Sequence, residues 1–291
     1  MTRAADLRTI LAEPGIVVMP GIHDALSAKF AEQAGARLIN IGGSMIANAI
    51  LGFPDVGLVT MTEVAEQVRR VTAATSIPGI VDADTGFGNA INVGRTVREF
   101  ESAGAAGLYM EDQTFPKKCG HFSGKQVIGT DEMLGKLRAA LDARRDDDFV
   151  IVARTDANTV LGFDEAVERA NRYGEAGADV VFFEAPASDE ELLRVPELVE
   201  YPVLVNMVSG GGKTPLKSAA ELERMGYKIV NFGPAALQVA MRAVADFFEE
   251  LLREGSVIGY QDRLMSFEER QRRLGLDEIY AAEQRYGTPN A

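Results

Sequence analysis

The chain lacks tryptophan entirely and carries one cysteine and two histidines among 291 residues. A lone Cys119 cannot close an internal disulfide, so the fold owes nothing to oxidation. With only His23 and His121 beside it, the usual structural zinc site is excluded. No apolar run reaches the ~20 residues of a bilayer span, and the opening MTRAADLRTI has no signal-peptide core. The expectation is a cytoplasmic protein with no membrane partner. Positive charge is scarce too: 30 Lys and Arg stand against 43 Asp and Glu, a formal net charge of −13. Such a surface repels nucleic-acid phosphates, which sets nucleic acid aside as a partner. A small anionic substrate then needs locally placed cations or a bound metal ion.

What is present is an alternation. Short runs rich in Val and Ile occur near 16–20, 37–42, 77–82, 107–111, 149–154, 180–184, 202–206 and 228–232. Segments of helical periodicity lie between and after them, near 24–34, 61–74, 92–103, 131–144, 164–176, 189–199, 218–225 and 235–253. Four junctions, EQAGARLI, ESAGAAGL, GEAGADVV and ERMGYKIV, place Gly just past a helix and a strand shortly after it, as tight αβ turns do. Strands with so little polar alternation suit a parallel sheet covered by helices. Eight units over this length predict an α/β fold of the (β/α)8 TIM-barrel type. A doubly wound open sheet is the rival, but no GxGxxG follows the first strand. The barrel is expected over residues 1–255. Residues 256–291 are expected to form a helical arm, lying on the barrel edge or on a neighbouring subunit.

Barrel sites sit at the C-terminal strand ends. The second strand runs into Gly42, Gly43 and Ser44, and the third ends in VDADTGFG with Asp82 and Asp84. The later ends carry Glu111, then Arg154, Glu184 and Asn206. Two aspartates spaced by two share one face of a strand. With Glu111 they make a hard oxygen site suited to Mg²⁺ or Mn²⁺. A long connection, QTFPKKCGHFSGKQVIGT, holds Lys117, Cys119, Gly120 and His121 and reads as a lid. Lys and His⁺ beside a thiol lower its pKa, so Cys119 is expected as a proton donor or nucleophile. His23 reads as a cap of the next helix. GGGKTP, with Thr214, reads either as a backbone cradle for an anion or as a plain loop.

Taken together, VDADTGFGN, EDQ with PKKCGH, ARTDA and NMV with GGKTP resemble the isocitrate lyase/phosphoenolpyruvate mutase superfamily, in order, from about residue 10 to 275. The chain looks most like that superfamily's C–C lyases of the 2,3-dimethylmalate and 2-methylisocitrate type, which carry a Cys-Gly-His lid. The resemblance implies a barrel with a terminal helix exchanged between subunits of a homodimer or homotetramer. It implies Mg²⁺ held by Asp82 and Asp84 with Asp55 and Glu111 in support. Cys119 becomes the proton donor, with Lys117 and His121 beside it in the lid. Arg154, Glu184 and Asn206 become the residues that face the substrate. The implied reaction cleaves a small 2-hydroxy di- or tricarboxylate to pyruvate or a related 2-oxo acid. Oxaloacetate hydrolysis and phosphonate P–C chemistry are the alternatives on the same scaffold, and a metal- and carboxylate-binding protein without turnover is the alternative of another class.

Two departures stand out. Many lyases have Tyr where this chain has Asn40, so the base that takes the hydroxyl proton is unassigned. Tricarboxylate-cleaving members have Arg at the position of Gln238, which favours a dicarboxylate such as a substituted malate. One extra residue lies in NMVSGGGKTP.

Overall fold

The structure, a computed structural model, describes residues 2–287. Eight strands, β1 (Val17–Ile22), β2 (Ile39–Ile41), β3 (Gly79–Asp82), β4 (Gly107–Glu111), β5 (Val150–Thr155), β6 (Val180–Phe183), β7 (Val203–Asn206) and β8 (Ile229–Phe232), form a closed parallel barrel in sequence order. β8 pairs with β1, with Val17 opposite Ile229, so no strand edge is left open. Helices occupy all eight expected segments. Ahead of the C-terminal arm, three further pieces lie outside those segments: Arg3–Ala12, Gly43–Ile46 with the π turn Ala47–Leu51, and Asn158–Leu161. Gly43–Ile46 and Asn158–Leu161 are about one turn each, too short to display an apolar period.

Local sequence sets the helix starts. Thr60 and Glu63 form a capping box at Met61–Ala74, and Ser218 with Glu221 does the same at Ala219–Met225. Ahead of Ala25–Gln33 the cap is Asp24, whose carboxylate accepts from Ser27 N at 2.7 Å. This corrects the expectation for His23, whose backbone carbonyl instead accepts from Gln67 Nε2. An aspartate oxygen reaches the N3 amide, which an imidazole one residue earlier cannot.

Alternation within the strands builds the interior. Met19, Leu38, Ile80, Tyr109, Val152, Phe182, Leu204 and Ile229 share one buried cluster inside the barrel, closed below by Leu7 of Arg3–Ala12. Two residues further along each strand the same face carries Gly21, Asn40, Asp82, Glu111, Arg154, Glu184, Asn206 and Asn231. An apolar plug therefore supports a polar top layer, with the layers following the pleat.

The chain divides into two compact units, one running to Val239 and the other from Ala240. The second contains the rest of the helix Ala235–Glu254, the 3₁₀ turn Ile258–Arg263 and helices Phe267–Leu274 and Leu276–Tyr286. Within it Phe247 packs edge-on against Tyr260, with ring centroids 5.1 Å apart.

Gly21 cannot carry a side chain: a Cβ there would lie 1.8 Å from the Gly233 carbonyl oxygen. Replacing it with Ala is expected to lower the melting temperature by about 5 °C or more, because that oxygen belongs to the backbone. A melt followed by circular dichroism that superimposes on the wild type would contradict this packing.

Candidate active site

The polar layer opens into a cavity of about 510 Å³. Asp82, at the end of β3, is fixed from both sides: Gly43 N donates to its Oδ2 at 3.0 Å and Asp84 N to its Oδ1 at 2.9 Å. Asp84 follows the strand with φ +47°, a left-handed conformation that costs a non-glycine residue energy. Lys117 reaches in from the lid, with Nζ 2.6 Å from Asp55 and 2.7 Å from Asp84. Glu111, buried beneath, has Oε2 3.3 Å from Arg154 Nη2. Asp55 and Asp82 line the cavity, while Asp84, Glu111, Lys117, Gly42 and Gly43 form the layer behind it.

Charge balance in this cluster is unfavourable. Burial pushes Asp84 up to about 7; Lys117 opposes that rise, and Asp82 and Asp55 add to it. Burial also drives Glu111 well above the carboxylate range despite Arg154 and Lys117. Burial works against the charge on Lys117, but Asp84, Glu111 and Asp55 outweigh it and hold the ammonium far above its ordinary value. Lys117 is therefore a fixed cation. Glu111 Oε1 accepts no hydrogen bond, and Asp84 Oδ1 has only the Lys117 ion pair. Among the described residues no three His, Cys, Asp or Glu side chains form a ready-made cage. Mg²⁺ needs none, because it keeps several waters and binds through one or two carboxylates. Hard oxygen donors, under-used and in excess of their cations, fit such an ion.

Opposite lies a second charged group. Arg154 stacks over Phe182 at 5.0 Å and holds Asp156 through Nε at 2.8 Å. Lys125 Nζ, also from the lid, lies 2.6 Å from Asp156 and donates to the Gly120 carbonyl. Glu184 would be raised by burial, but Arg154 and His121 prevail and keep it below its ordinary value. His121 Nε2 stands 3.1 Å from Glu184 Oε1. Its other nitrogen, Nδ1, accepts from Lys213 N at 2.9 Å, which places the imidazole proton on Nε2, toward Glu184. Gly120 passes so close that a Cβ would lie 2.4 Å from Glu184 Oε1 and 2.5 Å from Arg154 Nη2.

Cys119 lines this cavity, but its environment is the reverse of the sequence expectation. Burial raises the thiol and outweighs the lowering hydrogen bond from the His121 backbone; Asp55 and Glu184 add to the rise, and Arg154 opposes it. Lys117 and His121, counted on to lower it, are spent on carboxylates. A thiol kept protonated suits a proton donor and disfavours a nucleophile.

The remaining wall is neutral. Asn206, Ser44, Gln238 and the Ser209–Gly212 turn line it, as do Asn40, Tyr109 and Asn231. Gln238 Nε2 donates to the Ser209 carbonyl at 3.2 Å. In GGGKTP the Lys213 N–H goes to His121, and Thr214 is buried away from the cavity with no hydrogen bond at Oγ1. Asn231 and Tyr109 were not anticipated as site residues. Both follow from counting alternate positions up each strand.

A (β/α)8 barrel whose mouth joins buried carboxylates, an arginine and a thiol-bearing lid is a frame for metal-assisted chemistry on small acids. The family described as phosphoenolpyruvate phosphomutase matches residues 7–252. The chain is 44% identical to 2,3-dimethylmalate lyase of Eubacterium barkeri over 99% of both chains. It is 41% identical to a probable 2-methylisocitrate lyase of Corynebacterium glutamicum over 99% of this chain and 94% of that one. The crystal structure of a 2,3-dimethylmalate lyase superposes with a TM-score of 0.92 at 37% identity, covering 99% of this chain and 96% of that one. Phosphonopyruvate hydrolase complexed with oxalate and Mg²⁺ gives 0.89 at 34% identity, covering 98% and 99%. Oxaloacetate acetylhydrolase with 3,3-difluorooxalacetate gives 0.94 at 32% identity, covering 100% and 99%. The chain belongs to the phosphoenolpyruvate mutase/isocitrate lyase superfamily.

The Asp84 shift has a measurable consequence. Its folded pKa is raised, so the stability it contributes is complete below pH 4 and is lost as pH rises through about 7. A divalent cation binds the ionised form and should recover that loss. The rise in melting temperature on adding Mg²⁺ is therefore expected to be larger at pH 8 than at pH 6. Equal rises, or none, would contradict it.

Proposed function

We propose that the protein is a Mg²⁺-dependent C–C lyase that cleaves a small 2-hydroxy dicarboxylate of the substituted-malate type to pyruvate or a related 2-oxo acid and a carboxylate. The observation that carries this reading is the meeting, in one cavity, of hard carboxylate oxygens, a buried Arg154 and a protonated thiol on a lid. The lyases among the relatives, at up to 44% identity over the whole chain, support it. The lone cysteine suits a reducing cytoplasm. Exposed Met241, Phe248, Leu252, Ile258 and Phe267 in the C-terminal unit support a homodimer or homotetramer joined through the arm.

Asp82 and Asp84 would hold the ion, with Asp55 and Glu111 behind them. When bound, it supplies Lewis-acid charge beside the substrate's oxygen atoms. Arg154 offers its guanidinium to a carboxylate, held in place by Asp156 and the Phe182 ring. As the C–C bond breaks, its electron pair leaves with the departing carbon and the hydroxyl proton is lost. Asn40 cannot take that proton. Asp55, Asp82 and Glu184 are the carboxylates that face the cavity. Cys119 donates its proton to the departing carbon, where charge would otherwise build up. The lid that carries it is pinned at Lys117, Lys125 and His121, which keeps water from competing for the carbanion.

A pyruvate-coupled assay over substituted malates, methylisocitrate, oxaloacetate and phosphonopyruvate tests the reading. Turnover is expected with a substituted malate. Turnover of phosphonopyruvate or oxaloacetate alone would replace the lyase by one of its neighbours, and Mg²⁺ binding without any turnover would leave a binding protein. Cys119→Ser is expected to lower kcat at least ~100-fold with an unchanged melting temperature. Retention of most activity would remove the thiol from the mechanism.

A further inference from the structure

Past Asp82 the chain leaves β3 through a strained turn. Asp84, Gly86, Phe87 and Gly88 all have positive φ, although Asp84 and Phe87 carry side chains. Such a turn persists only where its surroundings fix it. Here four consecutive carbonyl oxygens are each taken by a donor. That of Ala83 accepts from Gly86 N at 2.7 Å, and that of Asp84 from Glu111 N of β4 at 2.8 Å. The Gly86 oxygen accepts from Thr96 Oγ1, on the helix Ala90–Ser102, at 3.1 Å. Between them, the Thr85 oxygen accepts at 3.0 Å from Lys136 Nζ, on the helix Thr130–Ala143.

Lys136 is the charged donor of the four. Its side chain is buried behind the cavity rather than in its lining. Burial pulls its ammonium below the ordinary value, against the opposing charge of Glu132. Keeping a cation there is costly, and packing alone would be served by Leu or Met. What the ammonium adds is a charge-assisted bond, about twice as strong as a neutral one, to the carbonyl that follows Asp84. The two aspartates converge at this end of β3: a Cβ on Gly43 would lie 3.1 Å from both Asp82 Oδ2 and Asp84 Oδ1. Lys117 grips the Asp84 carboxylate but belongs to the lid, whereas Lys136 belongs to the barrel wall.

We infer that Lys136 is a positioning residue for the ion-binding end of β3. It pins the turn from behind, so that Asp84 keeps its left-handed backbone and its carboxylate stays beside that of Asp82. The inference rests on these two aspartates holding a divalent ion, and adds the group that keeps them converged.

Two readouts on the full-length protein test it. Lys136→Met keeps the length of the side chain and removes the donor. It is expected to weaken Mn²⁺ binding, read from the free-ion paramagnetic resonance signal, about tenfold or more. Val195→Ala, a buried change in a separate core cluster, should lower the melting temperature and leave Mn²⁺ affinity within about twofold. Hydrogen exchange of residues 82–88, followed by mass spectrometry without added metal, is expected to be about tenfold faster in Lys136→Met and unchanged in Val195→Ala. Lys136→Gln, whose amide stands one bond shorter, serves if the methionine variant fails to fold. A loss of affinity matched by Val195→Ala would mark instability alone and overturn the inference. So would weaker Mn²⁺ binding with unchanged exchange in the turn. If the wild type binds no Mn²⁺ yet exchange rises in Lys136→Met alone, the metal reading fails and the hold of Lys136 on the turn stands. If wild type and Lys136→Met bind Mn²⁺ equally, the positioning role fails and the metal reading stands.

Discussion

Six buried or nearly buried carboxylates, Asp55, Asp82, Asp84, Glu111, Asp156 and Glu184, crowd the mouth of the barrel with three cations, Lys117, Lys125 and Arg154. Removing charges from water is expensive, and like charges at these separations raise the expense further. The cluster divides into two halves with different fates. Around Arg154 and Lys125 the compensation is nearly complete, and Asp156 and Glu184 lie below their ordinary values. Around Lys117 it is not, and Asp84 and Glu111 are raised. One side is a finished set of ion pairs, and the other is a deficit shaped for a further cation.

The lid is held by the same charges. Lys117 enters the under-compensated half and Lys125 the compensated one, while His121 bridges Glu184 and the Lys213 backbone. Cys119 sits between these anchors, so its position depends on carboxylates that also belong to the site. The lid's basic residues are consumed in docking, which leaves the thiol protonated. Placement of the thiol and protection of its proton thus have one origin.

The sequence makes the barrel legible because its strands are nearly all apolar and the αβ turns repeat a glycine signal. All eight strands and eight principal helices lie where the periodicity puts them. Strand-end residues are also readable, since Asp82, Arg154, Glu184 and Asn206 share the inward parity of the apolar plug. Partners are harder to read. No pattern states that Lys117 spans from a lid to two aspartates, so the lowered thiol pKa inferred from neighbours in sequence reverses in space. Asn231 and Tyr109 escape motif reading because amides and a buried phenol draw no attention until they are seen to bond to one another. Asp24, one residue from His23, takes the helix cap because only its oxygen reaches the Ser27 amide.

One divalent ion held at Asp82 and Asp84 would fill the deficit around Lys117. Electron paramagnetic resonance of Mn²⁺ titrated into the protein measures this directly, because bound ion loses the free-ion signal. One ion per chain is expected, displaced by Mg²⁺ and lost in Asp82→Asn. A free-ion signal that grows in proportion to added Mn²⁺, or equal binding by Asp82→Asn, would contradict it.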